Sequence, residues 1–255
     1  MDVVDTAALL AAGLAAGTVN AVAGGGSLIT FPTLVAIGLP PVPANVTNSI
    51  AVCPGYLASV YGSRTDLAEF AARRGRRSLY ALLPTALAGT AAGCALLLAT
   101  PARAFEIVVP FLILGATALL AFGDRLKRDG QAGAGRSSVA LHALVAGGAV
   151  YGGYFGAGLG VMLVAMLSVI TGETLVRVTA LKNVISAVVG LGTVVAFALY
   201  GPVDWTAVAI LAPTTLVGGY AGARLARRLP VRVLRAAIVI TGTAVAAVLL
   251  VRAFA

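Results

Sequence analysis

Apolar segments follow one another along almost the whole chain, separated by short polar stretches. Most of them match the roughly 20 residues that an α-helix needs to cross a bilayer. The segments are 5–23, 27–38, 44–62, 78–99, 103–122, 139–157, 159–171, 178–200, 206–223 and 234–252. Because 60% of the 255 residues are hydrophobic and 11% are charged, no separate aqueous domain fits. The sequence predicts an all-α polytopic protein of the cell membrane, with about eight to ten membrane segments.

The basic residues indicate how the chain is oriented in the bilayer. Most of the 18 lysines and arginines lie in the stretches 64–77, 123–138 and 224–235. The positive-inside rule places all three in the cytoplasm, which leaves Asp204 outside. The net charge of +9 is therefore explained by orientation, and we expect no nucleic-acid partner.

The two halves of the chain resemble one another. Proline, glycine and asparagine residues recur in the same order, and the clearest matches pair Pro84, Gly89 and Gly93 with Pro213, Gly218 and Gly222. We predict a first transmembrane repeat over 1–122, a cytoplasmic basic linker over 123–138 and a second repeat over 139–255. Because the basic loop at 64–77 corresponds to a loop that carries only Asp204, the two repeats are predicted to be inverted in the membrane.

Each half contains a glycine cluster beside an apolar segment too short to cross the bilayer. The clusters are Gly24-Gly25-Gly26-Ser27 in the first half and the stretch containing Gly158 and Gly160 in the second. Helices that begin at such breaks direct backbone N–H groups and positive dipole ends toward the membrane midplane, which favours an anion. The alternative is that the glycines serve only close helix packing.

A second group of polar residues opens the third segment of each half. We predict that Asn48, Ser49, Lys182 and Asn183 bind the substrate together with the glycine clusters, because buried amides and a lysine require partners. Interhelical hydrogen bonds are the alternative for the asparagines, and snorkelling to the interface is the alternative for Lys182. The secondary candidates are Asn20, Thr47, Tyr154 and Ser186.

Other functional classes fit the sequence less well. An intramembrane hydrolase needs a nucleophile with a base or a metal motif, whereas the chain has a single histidine. No metal or cofactor is expected. A thiol–disulfide relay through Cys53 and Cys94 lacks a CxxC pair, although it stays open as a minor alternative, as does an anion channel. The sequence does not indicate an oligomeric state.

Two strings carry a family resemblance over nearly the whole chain. They are AGLAAGTVNAVAGGGSLITFPTLVAIGLPPVPANVTNSIAV and YGGYFGAGLGVMLVAMLSVITGETLVRVTALKNVISAVVG, and they resemble the repeat signatures of the sulfite exporter TauE/SafE family. The resemblance implies a permease of the bacterial cytoplasmic membrane that exports sulfite or an organosulfonate. It also implies that Gly24 to Gly26, Asn48, Gly158, Gly160, Lys182 and Asn183 occupy the family's motif positions. We therefore expect a secondary transporter that works by alternating access at a midplane site.

Overall fold

The computed structural model describes residues 1–22, 24–129, 138–225 and 231–254. Within these ranges it contains eleven α-helices and no β-strand, which confirms the all-α class. The helices are α1 (Val3–Val22), α2 (Ser27–Ala36), α3 (Pro41–Gly62), α4 (Arg64–Arg74), α5 (Arg76–Ala99), α6 (Ala102–Asp129), α7 (Ser138–Tyr154), α8 (Leu159–Thr171), α9 (Leu175–Tyr200), α10 (Trp205–Leu225) and α11 (Val231–Phe254).

Each predicted apolar segment corresponds to one of these helices. By length and composition alone, three described helical stretches suit a bilayer crossing: Val3–Ala21, Leu79–Ala99 and Leu175–Tyr200. The helices Ser27–Ala36 and Leu159–Thr171 are apolar but shorter, as expected for the segments beside the glycine clusters. The chain is a multi-pass membrane protein.

The stretch 64–77 is not the loop that its charges suggested, because most of it forms α4. Leu67, Phe70 and Ala71 recur at helical spacing, and Phe70 and Ala71 are buried. Asp66 lies in the first turn of the helix, where a negative charge favours the helix dipole. Basic residues on the other face hide this short apolar stripe in a hydropathy profile.

The other two basic stretches are partly helical as well. Helix α6 extends to Asp129, so the first part of the predicted linker 123–138 continues a membrane helix. Residues 130–137 and 226–230, which include Arg136, Arg227 and Arg228, lie outside the described residues.

The helix contacts come in corresponding pairs. Helix α1 packs on α10 as α7 packs on α5, α3 packs on α10 as α9 packs on α5, and α2 packs on α11 as α8 packs on α6. The α3–α9 contact joins two corresponding helices, and so does the α6–α11 contact. This pattern is that of a pseudo-twofold axis relating two five-helix units, and α4 has no counterpart. The division into two repeats, over 1–122 and 139–255, stays a prediction.

Helices α3 and α9 run antiparallel through the centre of the molecule. Val46 near the start of α3 lies beside Gly201 at the end of α9, whereas Asn183 near the start of α9 contacts Ser59 near the end of α3. Gly190 lies near the middle of this pair and faces the side chains of α3. The crossing therefore marks the middle of both helices.

Candidate functional site

The two glycine breaks touch each other at backbone level. A Cβ added to Gly160 would lie 2.5 Å from Gly24 Cα, and one added to Gly24 would lie 2.6 Å from Gly160 Cα. Gly24 has φ +80°, and Gly156 and Gly158 also have positive φ values, a conformation that side chains rarely adopt. The close backbone contact therefore requires glycine at Gly24 and Gly160. The positive φ values require glycine at Gly24, Gly156 and Gly158.

Helices α2 and α8 both begin at one small cavity near the crossing of α3 and α9. The cavity has a volume of about 20 Å³, enough for about one water molecule. Four of the residues that line it carry a hydroxyl group: Ser27, Ser49, Tyr56 and Thr193. The other lining residues are Val52, Gly152, Phe155, Gly156, Leu159, Val189 and Gly190. The two helix N-termini and four hydroxyl-bearing side chains therefore converge at the middle of the membrane helices.

The electrostatic potential in this central cavity is set by helix dipoles rather than by charged side chains. None of its described lining residues carries a formal charge. The hydroxyls of Ser49 and Thr193 donate to the carbonyls of Asn45 and Gly190 within their own helices. The positive ends of α2 and α8 favour a negative charge between them. The arrangement suits a small anion better than a cation.

The end of α1 is held by a lysine of the other half. Lys182 is 1% exposed, and its Nζ donates a hydrogen bond of 3.0 Å to the Asn20 carbonyl. The Gly24 N–H donates to the Val19 carbonyl rather than to the Asn20 carbonyl, so the lysine bonds an acceptor at the negative end of α1. Lys182 does not snorkel to the interface, because its side chain is buried.

Asn20 also fixes the start of α2. Its Oδ1 accepts a hydrogen bond of 2.7 Å from the Gly26 N–H, and its Nδ2 is buried without a partner. Gly25 closes the turn, because its carbonyl accepts from the Leu28 N–H. The first glycine cluster is therefore held from both sides, by Asn20 and by Gly160.

The end of α7 has an analogous cap from the first half. Asn45 Nδ2 in α3 donates a hydrogen bond of 3.0 Å to the Tyr154 carbonyl, the last residue of α7. Tyr154 itself packs its ring edgewise against Phe105. Each broken helix is thus capped by a side chain from the third helix of the opposite half.

The structure does not bring Asn48 and Asn183 together. Asn48 Oδ1 accepts from the Thr30 hydroxyl of α2, whereas Asn183 Nδ2 donates to the Ser59 carbonyl and to Ser63 Oγ at the other end of α3. Eleven residues of helix separate Asn48 from Ser59, or about 16 Å at 1.5 Å per residue. Both asparagines join helices, as their alternative interpretation proposed, and neither lines the central cavity.

The remaining predicted residues divide between the cavity and its supports. Ser27 and Ser49 line it. Gly158 begins α8 against Ala116 of α6, and Ser186 is fully buried without a hydrogen-bond partner. Thr47 accepts a hydrogen bond of 2.9 Å from the Asp204 N–H near the start of α10, which places it outside the cavity.

Sequence reasoning missed Tyr56 and Thr193. Tyr56 lies seven positions after Ser49, and Thr193 lies three after Gly190, so both spacings place each pair on one helix face. That regularity was the available signal, but it identifies a face only once a neighbouring residue is known to line the cavity.

The cysteines and potential metal ligands show no further site in the described part of the chain. Cys53 and Cys94 are both buried and free, and they lie in different helices, α3 and α5. No group of three histidine, cysteine, aspartate or glutamate side chains is placed to hold a metal among the described residues.

Comparison with known proteins agrees with this architecture. Residues 9–249 match the family model described as sulfite exporter TauE/SafE. The chain is 29% identical to "Probable membrane transporter protein YfcA" of Escherichia coli K12 over 92% of this chain and 86% of that protein. It is 28% identical to a "Probable membrane transporter protein" of Haemophilus influenzae, covering 86% and 84% of the two chains. No solved structure matches.

Proposed function

The chain belongs to the sulfite exporter TauE/SafE family and is a membrane transporter of that type rather than an enzyme, and we propose that it exports a small anion, sulfite or an organosulfonate. The proposed mechanism is secondary transport, in which a midplane site faces the two sides of the membrane alternately. The proposed partners are the small anionic substrate and the lipid bilayer, without a cofactor.

One observation carries this proposal: the N-termini of α2 and α8 meet at the central cavity. Two positive helix ends and the hydroxyls of Ser27 and Tyr56 supply favourable contacts to an oxyanion without placing a formal charge in the bilayer. The Ser49 and Thr193 hydroxyls donate to an anion only after turning away from the carbonyls that they bond within their own helices. The site is formed by both halves of the chain, as alternating access requires. A movement of one half against the other would change which side of the cavity is open.

The central cavity is small in this conformation. A volume of about 20 Å³ holds about one water molecule. Of the four lining residues with a hydroxyl, Ser27, Tyr56 and Thr193 are buried and Ser49 is half-buried. A substrate anion needs a larger space, so its binding must be coupled to separation of the surrounding helices.

Uptake into inside-out membrane vesicles tests the proposal. Vesicles with and without the protein are compared for labelled sulfite, sulfoacetate and unrelated organic anions. Saturable uptake of a sulfur anion that depends on the protein supports the carrier. Uptake that rises linearly with concentration would instead indicate a channel, and no uptake of any sulfur anion would refute the proposed substrate class.

The matched variants are Thr193→Val and Thr117→Val. Both changes remove a buried threonine hydroxyl, but only Thr193 lines the cavity. Thr193→Val should raise KM or lower kcat, because it removes a hydroxyl that can turn from the Gly190 carbonyl to donate to the bound anion. Thr117→Val should leave both at the wild-type values.

A further inference from the structure

One face of α9 connects the central cavity with the cytoplasmic end of the helix. Gly190 and Thr193 line the cavity, and Ser186 and Lys182 precede them at intervals of four residues, which places all four on the same side of the helix. Lys182 lies seven residues before Val189 of the cavity lining, or about 10 Å along the axis. Lys182 and Ser186 are buried in this conformation, so an anion that approaches from the cytoplasm along this face reaches them once the surrounding helices separate.

The groups around Lys182 are hydrogen-bond donors with unused capacity. Its ammonium has three N–H donors, of which one is given to the Asn20 carbonyl. Because Asn20 Oδ1 accepts from Gly26 N–H, its Nδ2 is left as a buried donor without a partner. The Ser186 hydroxyl is also buried and unpartnered, one helical turn from the lysine.

No described carboxylate lies within 4 Å of the Lys182 ammonium. A buried cation is costly in a membrane unless something pairs with it. The carbonyl of Asn20 supplies only a partial negative charge. Lys182, Asn20 and Ser186 together have a positive charge and unused hydrogen-bond donors, but no described carboxylate pairs with them.

The corresponding position at the other end of the cavity offers an acceptor instead of a positive charge. There Asn45 caps the Tyr154 carbonyl with its Nδ2, and its buried Oδ1 is an acceptor without a partner. A neutral acceptor repels an anion, whereas the inner cluster offers a positive charge and two further donors. The two approaches to the central cavity thus differ in their affinity for anions.

We propose that Lys182, Asn20 and Ser186 form an anion-binding site on the cytoplasmic side of the central cavity, which takes an oxyanion with several acceptor oxygens, such as sulfite or a sulfonate. This inference rests on the proposed transport of anions and adds a capture step before the central cavity. Among the described residues, the other end of the cavity offers at Asn45 no such group of donors, so the anion is captured at a lower concentration from the Lys182 side. The asymmetry gives the cytoplasmic side the lower KM, whereas the substrate gradient sets the direction of net transport.

Two variants test the site without removing the cap on α1. Ser186→Ala deletes an unpartnered hydroxyl, so folding should be unimpaired. Asn20→Asp keeps an acceptor for Gly26 N–H but replaces the free donor with a carboxylate. Thr117→Val is the control, because it deletes another buried hydroxyl without a partner, in α6.

The first measurement is sulfite uptake into inside-out vesicles, whose outer surface is the cytoplasmic face. Ser186→Ala should raise KM about tenfold, as expected for one hydrogen bond to a charged ligand. Asn20→Asp should raise it about a hundredfold or more, because two like charges would be adjacent. Thr117→Val should match the wild type. If both site variants keep the wild-type KM, the site does not exist.

The second measurement separates this proposal from the proposed transport function. The melting temperature of the purified full-length protein is recorded with sodium sulfite, sulfate or phosphate against sodium chloride, since a ligand of the folded state raises it. If the wild type transports no sulfur anion but is stabilised by one of these salts, and Asn20→Asp abolishes that effect, the transport proposal fails and the anion site stands. No stabilisation of the wild type together with no transport overturns both.

Discussion

Replacing Gly160 by alanine should separate the two glycine breaks and disable the protein. The new Cβ would lie 2.5 Å from Gly24 Cα and 2.8 Å from Gly24 O. Ordinary contact begins near 3.4 Å, so the backbone of α2 or α8 must move by roughly 1 Å. Overpacking of this kind costs about 1–3 kcal/mol, and we expect the upper end because both partners are backbone atoms that cannot rotate away.

Gly24→Ala should be more damaging than Gly160→Ala. It creates nearly the same clash, at 2.6 Å, and also places a side chain at φ +80°, which adds about 1–2 kcal/mol. The two changes act on one contact, so their combined effect should be smaller than the sum of the separate effects.

The assay is thermal unfolding of the purified variants in detergent, with sulfite uptake measured in parallel. The controls are Gly115→Ala and Gly147→Ala, since a Cβ at either position has no neighbour within 4 Å. Both lie inside helices, where alanine is favoured over glycine by about 0.5–1 kcal/mol. The reasoning is refuted if Gly160→Ala unfolds at the same temperature as these controls and transports at the wild-type rate.

Three further predictions follow from the fold. A Cys53→Ala/Cys94→Ala variant should transport at the wild-type rate, because neither thiol lines the central cavity. A loss of transport would instead support a thiol–disulfide relay through these two cysteines. On that background a cysteine replacing Tyr200 should react with an impermeant thiol reagent only from outside, and one replacing Arg73 only from the cytoplasm. Arg177→Gln should destabilise the protein by about 1 kcal/mol in thermal unfolding, because it removes the ion pairs with Glu69 and Glu173, of which Glu69 is exposed and screened by solvent; Arg73→Gln should have little effect.

The membrane helices and the glycine breaks could be predicted from the sequence because their signals are local. A run of apolar residues determines a buried helix, and a glycine cluster beside a short run determines where it breaks. Helix α4 was missed for the converse reason: its buried stripe of Leu67, Phe70 and Ala71 is outnumbered by charged residues in any average over the segment.

The role of Lys182 depends on a contact that no local pattern contains. Its partner is the carbonyl of Asn20, 162 residues away, so the sequence indicated a polar requirement without indicating what meets it. The separation of Asn48 from Asn183 has a related cause. Equivalent positions on antiparallel α3 and α9 meet only near the crossing of the helices, and the sequence does not locate that crossing.

The two ends of the central cavity differ in how firmly they are closed. At the end that we predict to face the cytoplasm, Lys182 makes a charged hydrogen bond to the Asn20 carbonyl, and Arg177 pairs with Glu69 of α4. Toward the outside, Asn45 makes a neutral hydrogen bond to the Tyr154 carbonyl. Bonds to charged groups contribute about 1.5–3 kcal/mol and neutral ones about 0.5–1.5 kcal/mol, so opening to the outside should cost about 1–2 kcal/mol less.

A difference of that size corresponds to roughly a tenfold preference for outward opening in the absence of substrate. A cysteine replacing Ser49, on the cysteine-free background, should therefore react with an impermeant reagent about tenfold faster from outside than from the cytoplasm. Adding Arg177→Gln should raise the cytoplasmic rate and leave the outside rate almost unchanged, because it weakens only the inner closure. Equal rates from both sides, unaffected by Arg177→Gln, would show that these bonds do not control access to the cavity.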